Sequence, residues 1–377
     1  MTGWLWLSTA PAILLAAASL WRERGRAAYI RAPLTAPLTA LPPATVIVPV
    51  KGPDEGLRQN LAALAAQDYP DYELVVTAAT AADIPAGVLP SGVKVAVGRT
   101  GDPEASEKIR NLLAGVRASR KGSQVLAFAD SDGMVGRGWL RALAAPLAEP
   151  GTGAATGYRW HVPEPAGCWP LLRSVWDAVA AGSLGPGGNR FAWGGSMAIR
   201  KDTFFEAKVA EFWKSAVSDD YALSAAVRRA GLRIAFAPAA MAGSAETVRA
   251  GGFFRWARRQ LVITRVHDPG LWWTALAAHV VYCGGMTAAA AALAMGRVEG
   301  AVALGLQLIP GMVKGAWRAR LARESMPECG DWFRRHGWAH TWCIPLATWL
   351  WLAALLTSSF GRSIEWRGRR YRLERGW

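Results

Sequence analysis

The chain has 377 residues, 52% hydrophobic, 10% aromatic and only 19% charged, and it is longer than one average domain. A mean hydropathy of +0.13 and 20 tryptophans describe a chain that is part soluble and part membrane, since indole rings favour the lipid headgroup region. The net charge of +15 calls for a negative partner, either anionic lipid or a phosphorylated substrate; nucleic acid is set aside, because the arginines cluster beside apolar segments without a zinc-finger, RNP or helix-turn-helix pattern.

Trp4 to Trp21 is apolar apart from Ser8, Thr9 and Ser19, and about 18 helical residues at 1.5 Å each nearly span a bilayer core. Arg22, Arg24 and Arg26 follow it and no basic residue precedes it, which predicts an uncleaved anchor over residues 1–26 with its amino terminus outside and the rest cytoplasmic. Residues 27–43 repeat Ala-Pro-Leu-Thr and end in Pro42-Pro43, the composition of a stiff linker.

From residue 44 the pattern alternates. Thr45 to Val50 reads as a strand, Gly56 to Ala66 as a helix with Leu57, Leu61 and Leu64 on one face, and Tyr72 to Thr77 as a second strand. Val93 to Gly98 is a third strand, Glu107 to Ser119 a helix and Gln124 to Ala129 a fourth strand. Such alternation predicts an α/β domain over 44–250 with a parallel sheet and right-handed crossovers.

The fourth strand ends in Asp130-Ser131-Asp132, placing two carboxylates at the edge where open α/β sheets bind ligands. Two hard oxygen ligands at that spacing can share a divalent cation, Mg2+ or Mn2+, or can simply close a strand with an acidic loop. Gly138 to Leu147 is a short helix, residues 153–200 are rich in Gly, Trp and Pro, and Ser215 to Ala230 is a helix carrying Asp219 and Asp220 at its start, where acids suit the dipole. Ile234 to Pro238 is a late strand.

Residues 251–270 form an amphipathic, arginine-rich stretch suited to lie in a membrane surface. A membrane region over 271–360 follows: Leu271 to Met295 can span, Val298 to Val313 is marginal, and Ala339 to Phe360, with Pro345, has basic residues on both sides and reads as re-entrant or misbounded. Residues 361–377 form a basic tail. Cys168, Cys283, Cys329 and Cys343 are too scattered for a disulfide framework or a zinc site, and His161 reads as structural.

Pro49-Val50-Lys51-Gly52, Gln67-Asp68-Tyr69-Pro70, Lys108-Ile109-Arg110-Asn111-Leu112, Asp130-Ser131-Asp132, Gly194-Gly195-Ser196-Met197 with Arg200-Lys201, and Asp219-Asp220-Tyr221 occur in an order that resembles the family 2 glycosyltransferases. The likeness is strongest to the ceramide glucosyltransferase-like branch with its hopanoid-associated bacterial enzymes, and runs from about residue 45 to 270. It implies a GT-A fold, a nucleotide-sugar donor, a divalent cation and a membrane lipid acceptor at the cytoplasmic face of a bacterial inner membrane. By the same resemblance Asp130 and Asp132 hold donor and metal, Lys51, Lys108, Gly194 and Gly195 contact the donor, and Asp220 is the general base. The chemistry agrees: an inverting transfer needs one carboxylate to deprotonate the acceptor, and it must come from a different segment than the metal acids.

Two departures from the family pattern stand out. The Asp usual after the second strand is missing from Thr77-Ala78-Ala79-Thr80-Ala81-Ala82, leaving Asp83 as the nearest acid to contact the nucleotide. The Gln-x-x-Arg-Trp signature is half present, with Gly252 in place of Gln before Arg255-Trp256; Arg255, Trp256 and Arg259 are the candidates to cover the acceptor and grip phosphate. A processive polysaccharide synthase and a catalytically dead membrane scaffold are the alternatives.

Overall fold

The computed structural model describes residues 3–32, 41–98, 104–366 and 368–374. Helix α1 (Gly3–Arg31) precedes the α/β domain, in which β1 (Ala44–Pro49), α2 (Leu57–Ala65), β2 (Tyr72–Ala78), β3 (Lys94–Val97), α3 (Glu107–Ala118) and β4 (Val125–Ala129) follow the predicted alternation closely. Next come α4 (Trp139–Ala144), β5 (Thr152–Thr156), β6 (Arg159–His161), α5 (Cys168–Ala181), β7 (Ser196–Arg200), α6 (Lys201–Glu206), α7 (Val209–Trp213), α8 (Asp219–Arg229), β8 (Arg233–Phe236) and β9 (Ala242–Ser244). The chain continues through α9 (Ala250–His267), α10 (Pro269–Ala294), α11 (Val298–Ser325), α12 (Gly330–His336), α13 (Ala339–Trp342) and α14 (Ile344–Ser358), and closes with a hairpin of β10 (Ser363–Trp366) and β11 (Arg369–Arg372).

The main sheet has seven strands in the order β3-β2-β1-β4-β7-β5-β8, parallel throughout except for β7, which runs antiparallel to both β4 and β5. This is the Rossmann-like, mixed and mostly parallel sheet that the GT-A resemblance implies; alternation alone predicts parallel pairing and does not foresee β7. Both of its faces are covered. In β1, Val46 and Val48 join Leu61, Leu64, Trp139 and Leu143 in one core, whereas Ile47 points into the other with Ile109, Leu112, Phe128, Trp213 and Leu223. Period-2 alternation thus persists under a continuous apolar run, as expected of a strand buried on both sides.

The antiparallel strand has a consequence for the site. Ala129, the last residue of β4, pairs with Ser196, the first of β7, so the segment entering β7 lies beside the segment leaving β4. Trp193-Gly194-Gly195 is therefore delivered to the same edge as Asp130.

The structure corrects several boundaries. Helix α1 runs through Arg31, so residues 27–31 are helix rather than linker, and residues 33–40 of the linker lie outside the described residues. The marginal Val298–Val313 segment belongs to a 28-residue helix that continues through Lys314, Arg318, Arg320 and Arg323. Ala339–Phe360 is broken at Cys343 into α13 and the 15-residue α14, about 22 Å long and short of a hydrocarbon core of about 30 Å. Helices α1 and α10 are long and apolar enough to cross a membrane.

Helix α1 is joined to the rest by charge. The buried carboxylate of Glu23 accepts from Arg26 Nη1 at 2.9 Å and from Arg318 Nε at 2.8 Å, while Arg26 Nε donates to the carbonyl of Leu184 at 2.8 Å.

Phe128 holds β4 against the segment that carries Asp219. Its ring meets Trp213 edge-on at 5.6 Å, and Trp213 Nε1 donates to the Asp219 carbonyl at 2.8 Å. Phe128→Ala should cost about 3–5 kcal/mol of stability. Unfolding of the detergent-solubilised protein, followed by tryptophan fluorescence, reads this directly, and a loss below about 1 kcal/mol would show that the contact does not hold the edge.

Candidate active site

Three chain segments converge at the carboxyl edge of β4. Helix α3 is capped by Ser106, whose Oγ accepts from the Ile109 amide at 3.3 Å, and this cap sets Lys108 in the first turn, facing the edge. Lys108 Nζ lies 2.8 Å from Asp130 Oδ1 and 3.1 Å from Asp219 Oδ2. From the other side Arg159, the first residue of β6, places Nη2 at 3.0 Å from Asp130 Oδ2 and 3.2 Å from Asp132 Oδ1. Its guanidinium also lies over the Trp193 ring, 5.0 Å from the centroid.

The glycines pack under these acids. A Cβ on Gly194 would come within 2.3 Å of Asp219 Oδ2, and one on Gly195 within 2.5 Å of Asp130 Oδ2 and 2.2 Å of the Trp193 ring. Gly194 also donates its N–H to Asp220 Oδ2 at 3.2 Å, and the Gly195 carbonyl accepts from the Asp130 amide at 3.3 Å. Close approach to the carboxylates is what requires glycine here.

Asp220 is fixed by three donors. Besides Gly194, the Tyr221 amide reaches Oδ1 at 2.8 Å and the Ser218 hydroxyl donates to the same oxygen. Being the second residue of α8, Asp220 also lies in the positive end of that helix dipole.

Lys51, Lys108, Asp130, Asp132, Asp220, Trp256 and Arg259 all line one cavity of about 580 Å³. The acid proposed as base and the acids proposed for metal thus share a chamber. Arg255 is exposed and does not line it. Asp83 also stands outside it: its carboxylate accepts from the Thr80 amide at 2.9 Å and the Thr80 hydroxyl at 2.7 Å, while its carbonyl accepts from Gly52 in the loop that carries Lys51.

Helix α9, expected to lie in a membrane surface, forms a wall of the cavity with its apolar face. Phe253, Ala257 and Leu261 are buried in a cluster with Trp176, Trp272 and Trp351, so the residues free to meet lipid are those on the opposite side, including Phe254 and Arg255. Trp176 of α5 stacks on Trp351 of α14 with centroids 4.0 Å apart, and Trp351 Nε1 donates to the Trp176 carbonyl at 2.9 Å. One end of the chamber is therefore charged and the other aromatic.

The sequence reading missed several residues of this site. Arg159 and Asp219 close the charge network. Asp177 lines the chamber beside Trp176, accepts from the Tyr158 hydroxyl at 3.1 Å and lies 3.5 Å from His161 Nε2. Burial pushes the Asp177 carboxyl up to about 7 even though Arg159, the Tyr158 hydroxyl and Arg173 oppose it. Burial, with Arg173 and Arg159, holds His161 well below the ordinary histidine range and so neutral. Helix α5 offered a signal, because Asp177 is its single acid and, apart from Arg173 and Ser174, its other residues are apolar.

Electrostatically the edge is short of positive charge. Burial raises Asp132, and Asp130, Asp54 and Glu246 add to this against the pull of Arg159. Burial alone would lower Lys108, but Asp130 and Asp219 outweigh it and hold the ammonium charged. Among the described residues no group of three or more His, Cys, Asp or Glu is arranged to hold a metal ion. The hard oxygens of Asp130 and Asp132, already bridged by one cationic nitrogen and crowded by further acids, nonetheless fit Mg2+ or Mn2+.

A charged edge and a separate, firmly held carboxylate thus face one chamber. The sequence matches the family model of glycosyl transferase family 21 over residues 4–377, and the chain belongs to that family. Of the resemblance read from the motifs, the ceramide glucosyltransferase-like branch and the glycosyltransferase class stand, with family 21 as the family shown. No curated protein sequence matches the chain.

Among solved structures, the mannosyltransferase PcManGT from Pyrobaculum calidifontis, in complex with GDP-Man and Mn2+, is similar at 19% identity and a TM-score of 0.48, covering 92% of this chain and 99% of that one. Glucosyl-3-phosphoglycerate synthase from Mycobacterium tuberculosis, in complex with Mn2+, uridine diphosphate and glucosyl-3-phosphoglycerate, is similar at 16% identity and a TM-score of 0.38, covering 60% and 80%. The architecture itself rests on the sheet topology above.

Asp219 gives the network a pH signature. Burial, then Asp220 and Asp130, raise it to about 6 from 3.8 despite Lys108. The folded chain thus keeps a proton that the unfolded chain releases near 3.8, so this stabilisation is complete below that pH and is gone once pH rises through about 6. Asp219→Asn imitates the protonated form. Its melting temperature relative to wild type should therefore climb between about pH 4 and pH 6 and level off above, and a flat difference across that window would assign the proton elsewhere.

Proposed function

We propose that the protein is a membrane-bound, inverting glycosyltransferase of GT-A type that moves a single sugar from a nucleotide-sugar donor, UDP-linked in our reading, to a lipid acceptor such as ceramide or a hopanoid. One observation carries this reading. The chamber holding Asp130, Asp132 and Asp220 runs on into a wall of tryptophans supplied by α9, α10 and α14, so a charged donor and an apolar acceptor can meet in one space. Arg22, Arg24 and Arg26 after the first span support a cytoplasmic catalytic face, at the inner membrane of a bacterium.

In this reading Asp130 and Asp132 hold a divalent cation, which when bound neutralises charge on the departing diphosphate. Lys108 and Arg159 hold those two carboxylates in place and add positive charge at the same edge. Asp220, oriented by the Gly194 and Tyr221 amides, accepts the proton of the acceptor hydroxyl as its oxygen attacks the anomeric carbon; the sugar–phosphate bond breaks as the new glycosidic bond forms. Trp256, set edge-on to Trp176 at 5.1 Å, offers an apolar face to the acceptor, and Arg259 a cation to its polar end or to phosphate.

Asp220→Asn should lower transfer by roughly 10²–10⁴-fold while nucleotide binding persists. Wild-type rates in that variant would pass the base role to another residue. EDTA should abolish transfer and Mn2+ restore it; full activity in chelator removes the metal role from Asp130 and Asp132. Asp132→Ala and wild type hydrolysing or transferring donor at indistinguishable rates would instead favour a catalytically inert scaffold. Mass spectrometry of lipids from cells with and without the chain should reveal one glycolipid that depends on it.

A further inference from the structure

The C-terminal hairpin, read from sequence as a basic tail whose Trp366-Arg367-Gly368-Arg369-Arg370-Tyr371 resembles the close of family members, reaches back over the active site. Its inner residues Ile364 and Leu373 are buried against Val217, Val262 and Val266, and an isolated two-stranded hairpin needs such support to hold its shape. Arg258 Nη2 donates to the Phe360 carbonyl at 2.9 Å and Arg265 to the Gly361 carbonyl, tying the approach to the hairpin onto α9. Val217 lies just before Asp219 and Asp220, so the hairpin is seated on the segment that carries the candidate base.

The pairing register sets Ile364 opposite Tyr371 and Trp366 opposite Arg369. Ile364, Trp366 and Tyr371 line the chamber, and the Arg259 guanidinium lies 5.8 Å from the Trp366 ring centroid. At the far end Arg369 Nη2 stands 3.5 Å from Glu107 Oε2, the same oxygen that Lys51 Nζ approaches at 3.0 Å. One carboxylate thus sits between a cation from the first βα loop and a cation from the last strand. With an aromatic ring and a third cation beside it, this corner has the chemistry that recognises a nucleoside diphosphate: a flat face for the base and guanidinium and ammonium groups for phosphate.

We propose that the hairpin is a wall of the donor site, with Trp366 facing the nucleobase, Arg369 and Lys51 facing the diphosphate, and Glu107 an internal anion that the diphosphate displaces. The inference rests on the donor reading given above and adds the residues that grip the nucleotide.

The test is equilibrium binding of UDP, and separately of GDP, each with Mn2+, to the full-length protein in detergent. Arg369→Ala should weaken binding of the preferred nucleotide roughly tenfold and Trp366→Ala by a similar factor. Glu107→Gln should tighten it several-fold, because the competing anion is removed; damage to the fold cannot produce tightening. Opposite shifts in Arg369→Ala and Glu107→Gln establish the proposal. Unchanged affinity in both, or weakening in Glu107→Gln, overturns it while leaving the glycosyltransferase reading intact. A wild-type protein that binds neither nucleotide overturns the donor reading and this inference together.

Discussion

Everything at the active edge depends on a charge imbalance: three carboxylates, Asp130, Asp132 and Asp219, are gathered around two cations, Lys108 and Arg159. Removing charges from water is costly unless they are paired with good geometry, so each member constrains the next. Lys108 must project from the first turn of its helix, the chain must cross back antiparallel to bring Gly194 and Gly195 under the acids, and no side chain can stand at those two positions. The excess of negative charge makes the edge receptive to a further cation without any residue being added.

The other half of the chamber obeys the opposite rule. Stacked and edge-on tryptophans from α5, α9 and α14 pack on one another and leave an apolar wall next to the charged one. Because α5 belongs to the α/β domain and α14 to the region after it, this aromatic cluster also joins the two. The apolar wall of the chamber and the junction between the α/β domain and the helices that follow it are thus made by the same side chains.

Much of the domain was legible from sequence where periodicity is strong. The first four strands, the helix bearing Lys108 and the acids Asp130 and Asp132 lie where alternation and edge position put them, whereas pattern alone gave Asp220 only as an acid at a helix start and the family resemblance singled it out. What escaped notice lay in weak patterns. Strand β5 is Thr-Gly-Ala-Ala-Thr, without the β-branched run that marks a buried strand, and β6 is three residues long, so Arg159 had no element to stand on. The hairpin was hidden by its arginines, which dominate composition although its alternate residues Ile364 and Trp366 face inward. Helix α9 shows the limit of a strong pattern. Its amphipathic pattern was real, but periodicity says only that one face is apolar and cannot say whether lipid or protein covers it.

Glu23 ties the first helix to a residue almost three hundred positions away. As the chain leaves the ribosome, this carboxylate emerges near the start, whereas Arg318, which shares it with Arg26, is made near the end. Until that arginine arrives, the acid has only its near neighbour and remains best solvated by interfacial water. Final seating of the leading helix against the helix that carries Arg318 therefore has to await the trailing portion of the polypeptide.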